Sequence, residues 1–231
     1  MSDVYAATDV SLGRQVAVKM LKIDMARDEN FRERFRREAQ NSARLNHPNI
    51  VSVYDTGSVE TSGVDVPYIV MELVHGMNLR DIVRNEGPLT PERAAKLLLP
   101  VTRALQASHD AGIIHRDIKP DNIILTNPGD VDEPGVKVAD FGIAKILGES
   151  STATHLVGTA HYLAPELVRG NVLSPSVDVY ALGVTLYQMV SGQLPFGAGD
   201  DNPYAVAERH LHSTPAVIPG LDDQVWGLIS G

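Results

Sequence analysis

A run of polar and charged residues follows two isoleucines in the segment IIHRDIKPDN, residues 113–122. Asp117 supplies a carboxylate that can accept a proton from a substrate hydroxyl, and Asn122 supplies an amide oxygen. An amide oxygen and a carboxylate together suit Mg²⁺, which keeps several water or phosphate oxygens among its ligands. This spacing therefore indicates acid–base chemistry beside a divalent cation.

The carboxylate that would complete such a cation site is Asp140, in the sequence ADFG. Strand patterns over residues 122–126 and 136–142 flank a loop rich in turn residues, so we predict a hairpin. A hairpin would place Asn122 beside Asp140, while Asp117 stands apart as the proton acceptor. Each residue taken singly fits a turn or a helix cap equally well, whereas the whole set at this spacing favours a site.

Two further charged residues lie where apolar residues are expected. Lys19 belongs to an alternating, β-branched pattern over residues 15–21 that predicts a strand. Glu38 lies near the apolar stripe of a helix predicted over residues 28–45. A carboxylate turned towards a core needs a partner, and Lys19 is a candidate. The alternative is a solvated lysine at a strand end.

The remaining periodic segments complete an α+β architecture. Strands are predicted over residues 50–58 and 66–74, and helices over residues 78–87, 90–112, 174–191 and 202–212. Thr90 is expected to cap the second of these helices. The strand-rich first part and the helix-rich remainder suggest two lobes, residues 1–74 and 75–231, joined near residues 72–77.

Composition narrows the classes of function. Of the 231 residues, 43 % are hydrophobic and 21 % charged, as in an ordinary globular protein. The formal net charge of −9 argues against a nucleic-acid partner. The absence of cysteine excludes disulfides and is compatible with a cytoplasmic location. The most apolar long stretch, residues 179–190, is too short and too polar for a membrane segment.

The motifs VAVK, HRDIKPDN, DFG and APE (residues 164–166), with a helix glutamate after the first, resemble a eukaryotic-type protein kinase. The sequences FRREAQNSARLNHPNIVSVYDTG and PYIVMELVHGMNLRDIV are similar to bacterial Hanks-type Ser/Thr kinases. Members of that group often carry a transmembrane helix and extracellular PASTA repeats. The resemblance covers nearly the whole chain and implies a small antiparallel β lobe with one helix and a larger, mainly helical lobe.

The resemblance also implies an activity and its partners. The activity is transfer of the ATP γ-phosphate to Ser or Thr hydroxyls of protein substrates, with Mg²⁺ or Mn²⁺ as the metal. The catalytic domain would work in the cytoplasm, within a parent protein anchored in the cell membrane. Members of this type can pair through the back of the small lobe, which makes a homodimer an expectation. A pseudokinase that acts as a binding module and a small-molecule phosphotransferase are the competing functions.

Family roles carry over to matching positions. Lys19 would hold the α- and β-phosphates and pair with Glu38, Asp117 would accept the substrate proton, and Lys119 would contact the γ-phosphate. Metal binding falls to Asn122 and Asp140. Around the adenine, the resemblance assigns Met71 to the rear of the pocket, Ala17 to its roof, Val4 to packing, and Glu72 and Val74 to backbone hydrogen bonds.

Residues 140–166 match the activation segment of the family. Thr159 would position the substrate hydroxyl, and Arg116 would bind a phosphate on this segment. Asp178 would brace the backbone of the catalytic loop, and Glu166 would normally pair with an arginine from a later part of the domain.

The sequence departs from the family pattern at both ends. The leading glycines of the phosphate loop and the first strand are absent, so Met1 falls inside the loop and residues 6–9 fit the second strand. The last helices are also missing, which leaves Glu166 without its arginine. We therefore expect an incomplete kinase domain, truncated at both ends, with reduced or no turnover.

Three histidines are not expected to bind metal. His115 should pack and form hydrogen bonds, whereas His210 and His212 lack a third ligand and are expected to be exposed to solvent.

We predict autophosphorylation at Thr152 and Thr154, with Ser151 as the alternative, because Arg116 beside the catalytic aspartate can bind a phosphate in this Ser/Thr-rich segment. Phosphopeptide mapping after incubation with Mg-ATP tests this. Finding neither threonine modified would contradict the prediction.

Overall fold

The computed structural model describes residues 2–126, 135–141, 160–197 and 202–230. The strands in these ranges are β1 Ser2–Asp9, β2 Arg14–Leu21, β3 Val53–Thr61, β4 Val64–Glu72, β5 Met77–Asn78, β6 Ile123–Leu125 and β7 Val136–Val138. The α-helices are α1 Ile23–Ala26, α2 Glu29–Ala43, α3 Leu79–Glu86, α4 Pro91–Asp110, α5 Pro165–Val168, α6 Ser176–Ser191, α7 Pro203–His212 and α8 Asp223–Ser230. Short 3₁₀ turns cover Pro120–Asn122 and Ala160–Tyr162.

Strands β1 to β4 form an antiparallel sheet in the order β1-β2-β4-β3. Helix α2 begins after Asp28, whose carboxylate accepts a hydrogen bond from the Asn30 backbone N–H. Phe35 and Ala39 on one face of α2 pack with Val66 and Ile69 of β4 into a small buried core. This contact fixes where the helix carries Glu38.

Strand β1 is longer than the sequence predicted. It begins at Ser2 rather than at Ala6, because Ser2 to Ala6 pair in register with Leu21 to Ala17 of β2. Strand β2 matches the predicted alternating segment, and it buries Lys19 along with the apolar residues of its inner face. The pairing therefore extends the sheet over the whole length of β2.

A second sheet of order β5-β6-β7 lies against the helices. The predicted hairpin of β6 and β7 is confirmed, with Ile123 opposite Val138. Thr90 caps α4 as predicted, since its hydroxyl accepts a hydrogen bond from the Arg93 backbone N–H. The larger core forms around helices α3, α4 and α6 and includes Leu79, Ile82, Val101, Leu105, Met189 and Val138.

The segment before β3 connects the two sheets. Val51 donates a backbone hydrogen bond to the Val138 carbonyl (2.9 Å), and Val138 donates to the Asn49 carbonyl (2.8 Å). At the end of β4, Glu72 donates to the Ser52 carbonyl (2.9 Å). Strand β7, which leads into Asp140, is thereby fixed relative to β4.

The connection from β4 to β5 also lies tightly against the second sheet. A Cβ atom added to Gly76 would lie 2.0 Å from the Leu125 carbonyl oxygen, a distance that no larger residue tolerates. The α+β class is confirmed by the sheet and helices. The lobe boundary between residues 74 and 75 stays a prediction, and it falls within this connection.

The expectation that His210 is exposed is wrong. Its side chain is 5 % exposed, and its ring lies edge-on to Phe196 and Tyr180, with centroids 4.8 and 5.6 Å away. The Tyr180 hydroxyl lies 2.6 Å from Nδ1. His212, two residues further along α7, is exposed as expected. The sequence alone does not reveal this difference, because the burial of each α7 residue depends on which other parts of the fold pack against that helix.

Burial lowers the pKa of His210 from 6.5 to about 4. Between these values the unfolded chain binds a proton that the folded state resists, so acidification from about pH 6.5 to 4 should cost at most about 3 kcal/mol of unfolding free energy. The His210→Gln variant lacks this titration, and its stability should fall less over the same range. Urea denaturation at several pH values measures the difference.

The matched control is His212→Gln, because His212 lies on the same helix and is exposed. Its pH profile should follow that of the wild type. A His210→Gln profile parallel to both would contradict the prediction.

Candidate active site

Lys19 lies between two carboxylates at the junction of the two sheets. Its Nζ donates hydrogen bonds to Glu38 Oε1 (2.6 Å) and to Asp140 Oδ1 (2.9 Å). Lys19 and Glu38 are 7 % and 5 % exposed. Burial alone would lower the pKa of Lys19, but the charges of Asp140 and Glu38 outweigh it and raise this pKa. Lys19 therefore stays a cation at neutral pH.

Asp117, Lys119 and Asn122 form a second group on the predicted catalytic loop, residues 113–122. Asp117 Oδ2 accepts hydrogen bonds from Lys119 Nζ (2.8 Å) and from Asn122 Nδ2 (3.1 Å). The same Asn122 nitrogen donates to the Asp117 backbone carbonyl at 2.8 Å. The 3₁₀ turn Pro120–Asn122 brings these residues together, although five positions separate the aspartate from the amide. The Asp117 carboxylate is thus held in one orientation.

The hairpin connects the two groups. Ala139 donates a backbone hydrogen bond to the Asn122 carbonyl (2.9 Å), so Asp140 follows directly beside Asn122. Asp140 has a positive φ of 56°, a conformation that is uncommon for a residue other than glycine and often occurs at functional sites. The side chain of Asp140 turns to Lys19, whereas that of Asn122 turns to Asp117.

The donor set of Asn122 and Asp140 fits a Mg²⁺ bound largely by phosphate and water oxygens. Both hydrogen bonds of the Asn122 amide to Asp117 run through Nδ2, which leaves Oδ1 as the atom suited to a cation. Asp140 adds a carboxylate. Within the described ranges no group of three His, Cys, Asp or Glu side chains could hold a metal by itself. Mg²⁺ in nucleotide sites needs no such cluster.

Asp178 on α6 is the buried acceptor for the catalytic-loop backbone. It is 0 % exposed, and its carboxylate accepts hydrogen bonds from the backbone N–H groups of His115 (2.8 Å) and Arg116 (2.7 Å). His109 Nε2 donates a third at 2.7 Å. Arg116 has a positive φ of 67°, and these contacts hold it there. Nε of Arg116 is buried with no hydrogen-bond partner among the described residues.

His115 joins the catalytic loop to the segment that carries Asp140. Its Nε2 lies 3.0 Å from the Ala139 carbonyl, and the Asp117 backbone N–H donates to Nδ1 at 3.2 Å. One nitrogen therefore donates and the other accepts, as in a neutral imidazole. Burial lowers the pKa of His115 and favours the neutral form. The predicted packing role is confirmed, since the ring lies 4.6 Å from that of Phe141.

Three of the five residues assigned to the adenine pocket, Ala17, Met71 and Glu72, lie on β2 and β4. Met71 pairs with Ala17 across the strands, and it lines a cavity together with Lys19 and Asp140. The Glu72 backbone N–H already binds the Ser52 carbonyl, so its own carbonyl is the group that could contact adenine. Val4 on β1 is exposed, and Val74 is half-buried beyond the end of β4.

The sequence did not predict several side-chain partners near the site. Lys137 Nζ donates to the Glu72 carboxylate at 2.8 Å and links β7 to β4. Arg80 Nη1 donates to Asp121 Oδ1 at 2.7 Å. Local patterns contain no signal for these pairs, because the partners are separated by 65 and 41 residues. Taken alone in the sequence, each of these residues resembles an ordinary exposed charged residue.

Glu166, which was expected to lack its arginine, has a hydroxyl partner instead. It is half-buried and accepts a hydrogen bond from the Ser176 hydroxyl at 2.6 Å, because α6 begins beside α5. Ser151, Thr152, Thr154 and Thr159 lie outside the described residues.

The fold and the two charge clusters define a kinase domain, and comparison with known proteins identifies it: the chain belongs to the protein kinase domain family, whose pattern matches residues 1–229. The predicted resemblance to bacterial Ser/Thr kinases is confirmed by close relatives. A probable serine/threonine-protein kinase of Corynebacterium efficiens is 55 % identical over 219 residues, 93 % of this chain and 32 % of that protein.

The serine/threonine-protein kinase PknB of Mycobacterium tuberculosis is 49 % identical, over 93 % of this chain and 34 % of that protein. PknB of Mycolicibacterium smegmatis is 50 % identical over the same shares. The chain thus spans about a third of the length of these relatives. In the part of the chain that the structure describes, no helix is long and apolar enough to cross a membrane.

Replacement of Asp178 by Asn should destabilise the protein. The Asn amide would point its own N–H group at one of the N–H groups that now donate to the Asp178 carboxylate. That hydrogen bond would be lost, and the free energy of unfolding would fall by about 2–4 kcal/mol. Urea denaturation measures the change. Asp110→Asn is the control, because Asp110 is exposed and should change stability by less than about 0.5 kcal/mol. Equal stabilities of the two variants would contradict the assigned role of Asp178.

Proposed function

We propose that this chain is a protein-serine/threonine kinase domain that transfers the γ-phosphate of ATP to hydroxyl groups of protein substrates. The observation that carries the proposal is the carboxylate of Asp117, oriented by Lys119 at 2.8 Å and Asn122 at 3.1 Å, on the loop that the hairpin joins to Asp140. Membership of the protein kinase domain family and the Ser/Thr kinase relatives support it. A location in the cytoplasm, a homodimer through the first lobe and a reduced turnover of this chain stay predictions.

Asp117 is the proposed proton acceptor. A serine or threonine hydroxyl placed beside it can donate a hydrogen bond to the carboxylate and give up its proton as the oxygen attacks phosphorus. The hydrogen bonds from Lys119 and Asn122 fix the carboxylate before the substrate arrives. Positioning of this kind is the main contribution that a phosphoryl-transfer enzyme makes.

Lys119 and Lys19 supply positive charge at two places. Lys119 lies next to Asp117, where charge on the transferred phosphoryl group would be stabilised. Lys19 is held by Glu38 and Asp140, and it would contact the α- and β-phosphates. Because its pKa is raised, Lys19 keeps its charge throughout the physiological pH range.

Asn122 Oδ1 and the Asp140 carboxylate would hold Mg²⁺ or Mn²⁺. When bound, the ion neutralises phosphate charge and orients the phosphate oxygens. The protein contributes a fixed amide, through the Asn122 hydrogen bonds to Asp117, and a carboxylate anchored on Lys19. These contacts pre-set the direction of both ligands.

Arg116 supports activation by phosphorylation. Its Nε is buried without a partner among the described residues, and burial lowers the pKa of its guanidinium. Arg116 is half-buried, and a guanidinium whose Nε is shielded from water is stabilised by an anion, which a phosphothreonine at Thr152 or Thr154 would supply.

The Asp117→Asn variant should lose phosphate transfer but keep nucleotide binding. The amide cannot accept the substrate proton, so we expect turnover of a protein substrate to fall by about 10²–10⁴-fold. Affinity for Mg-ATP should stay within about threefold, because Asp117 is not a proposed metal ligand. Radiolabelled ATP and calorimetric titration measure the two quantities.

Asp110→Asn, on the exposed surface of α4, is the control and should retain both properties. Binding of Mg-ATP by the wild-type chain without any phosphate transfer would instead favour the alternative function, an inactive fragment or pseudokinase that acts as a binding module. Full turnover by Asp117→Asn would remove Asp117 from the mechanism.

A further inference from the structure

Arg80 and Asp121 form an ion pair beside the catalytic loop that the proposed chemistry does not use. Arg80 lies in the first turn of α3, and Asp121 lies in the 3₁₀ turn between Pro120 and Asn122. Arg80 Nη1 donates to Asp121 Oδ1 at 2.7 Å, and the two side chains are 55 % and 30 % exposed. A pair this exposed contributes at most about 1 kcal/mol to stability. Its charges therefore matter more for what approaches the surface.

The pair lies next to Asp117 along the same loop, because Asp121 directly precedes Asn122, whose Nδ2 donates to the Asp117 carbonyl at 2.8 Å and to Oδ2 at 3.1 Å. Tyr162 packs near the same charges. The phenol is buried, and its pKa is raised mainly by that burial. The carboxylates of Asp121 and Asp117 raise the pKa further, whereas the Arg80 guanidinium lowers it. All three charges thus act on a single phenol. A substrate residue that flanks a hydroxyl at Asp117 would therefore lie in the electric field of Asp121 and Arg80.

Two ion pairs, Lys119–Asp117 and Arg80–Asp121, form the rim of the proposed substrate site, and the charges within each pair cancel. The two ion pairs together therefore carry no net charge. Without Arg80, the Asp121 carboxylate would face solvent with a full negative charge and attract basic side chains. Arg80 uses Nη1 for the bond to Asp121, and a guanidinium carries five N–H donors in all. Donors therefore remain to bind an acidic side chain.

We propose that Arg80 sets the charge preference for substrate residues next to the phosphorylated Ser or Thr, disfavouring basic neighbours and favouring acidic ones. The mechanism is electrostatic: Arg80 neutralises Asp121 and offers its remaining N–H groups to a carboxylate. This inference rests on the proposed kinase function, because it concerns the substrates of the same site.

The test uses threonine peptides that differ in one neighbour of the acceptor, with Glu, Gln or Arg at each of three positions on either side. The ratio of kcat/KM for the Arg peptide to that for the matching Glu peptide reports the preference. At one or more positions the wild type should favour Glu. In Arg80→Gln this ratio should rise on the order of tenfold, since a nearby unit charge is left uncompensated.

The ratio should follow the net charge of the rim in four proteins. Asp121→Asn leaves Arg80 unpaired and should lower the ratio below that of the wild type. The double variant Arg80→Gln/Asp121→Asn restores neutrality, and its ratio should return to within about threefold of the wild type. A role of Arg80 in stability alone would change overall rates and leave the ratio unmoved.

Arg84→Gln is the matched control. Arg84 lies one turn further along α3 and pairs with Asp81 at 2.9 Å, so the same type of ion pair is broken without exposing Asp121. Its ratio should equal that of the wild type. Circular dichroism and thermal denaturation of every variant verify that the fold is intact.

The outcomes separate the two proposals. If the chain phosphorylates peptides and the ratio is the same in the wild type, Arg80→Gln and Arg84→Gln, the role of Arg80 is overturned and the kinase function stands. If neither peptides nor the chain itself are phosphorylated under any condition, the proposed function fails and the role of Arg80 falls with it.

Discussion

The buried ammonium of Lys19, shared by Glu38 and Asp140, is the interaction on which the arrangement of this domain depends. It joins β2, α2 and the segment after β7, three elements that belong to different parts of the chain. Removing a lysine and a glutamate from water is costly unless each finds its partner. The fold must therefore bring α2 and β7 to the same point, and the apolar face of α2 and the connection before β3 accomplish this.

A second constraint acts from below the catalytic loop. The Asp178 carboxylate accepts hydrogen bonds from two backbone N–H groups and from His109. The His115 ring forms a further hydrogen bond with the Ala139 carbonyl. These bonds hold the loop in a conformation with a positive φ at Arg116 that an isolated peptide would rarely adopt. The conformational free-energy cost of this positive φ is offset by the stability of the helical core, in which α4 and α6 pack together.

The sequence predicted those features that leave a periodic or local trace. Alternation identified β2, the capping residue Thr90 marked the start of α4, and turn residues marked the hairpin of β6 and β7. The grouping of Asp117, Lys119 and Asn122 could also be predicted, because all three residues lie within one short segment of the sequence.

Long-range partners left no such trace. Glu72 was expected to act through its backbone, yet its side chain binds Lys137, and nothing in either local sequence specifies that pair. His210 was expected in solvent because no third ligand completes a metal site with His210 and His212. Its burial results from Tyr180 and Phe196, which approach only in the folded chain. Tertiary packing decides such cases, and propensity does not.

The fixed ends of the connection between the sheets have a consequence for motion. Glu72 is bound to Ser52 and Lys137, and the backbone of Gly76 presses against the Leu125 carbonyl. Between them, residues 73–75 take part in none of the hydrogen bonds that the described part of the chain shows. These three residues are therefore the place where a rotation of the first sheet relative to the second would be taken up, and the Lys19–Asp140 and Val51–Val138 hydrogen bonds oppose such a rotation.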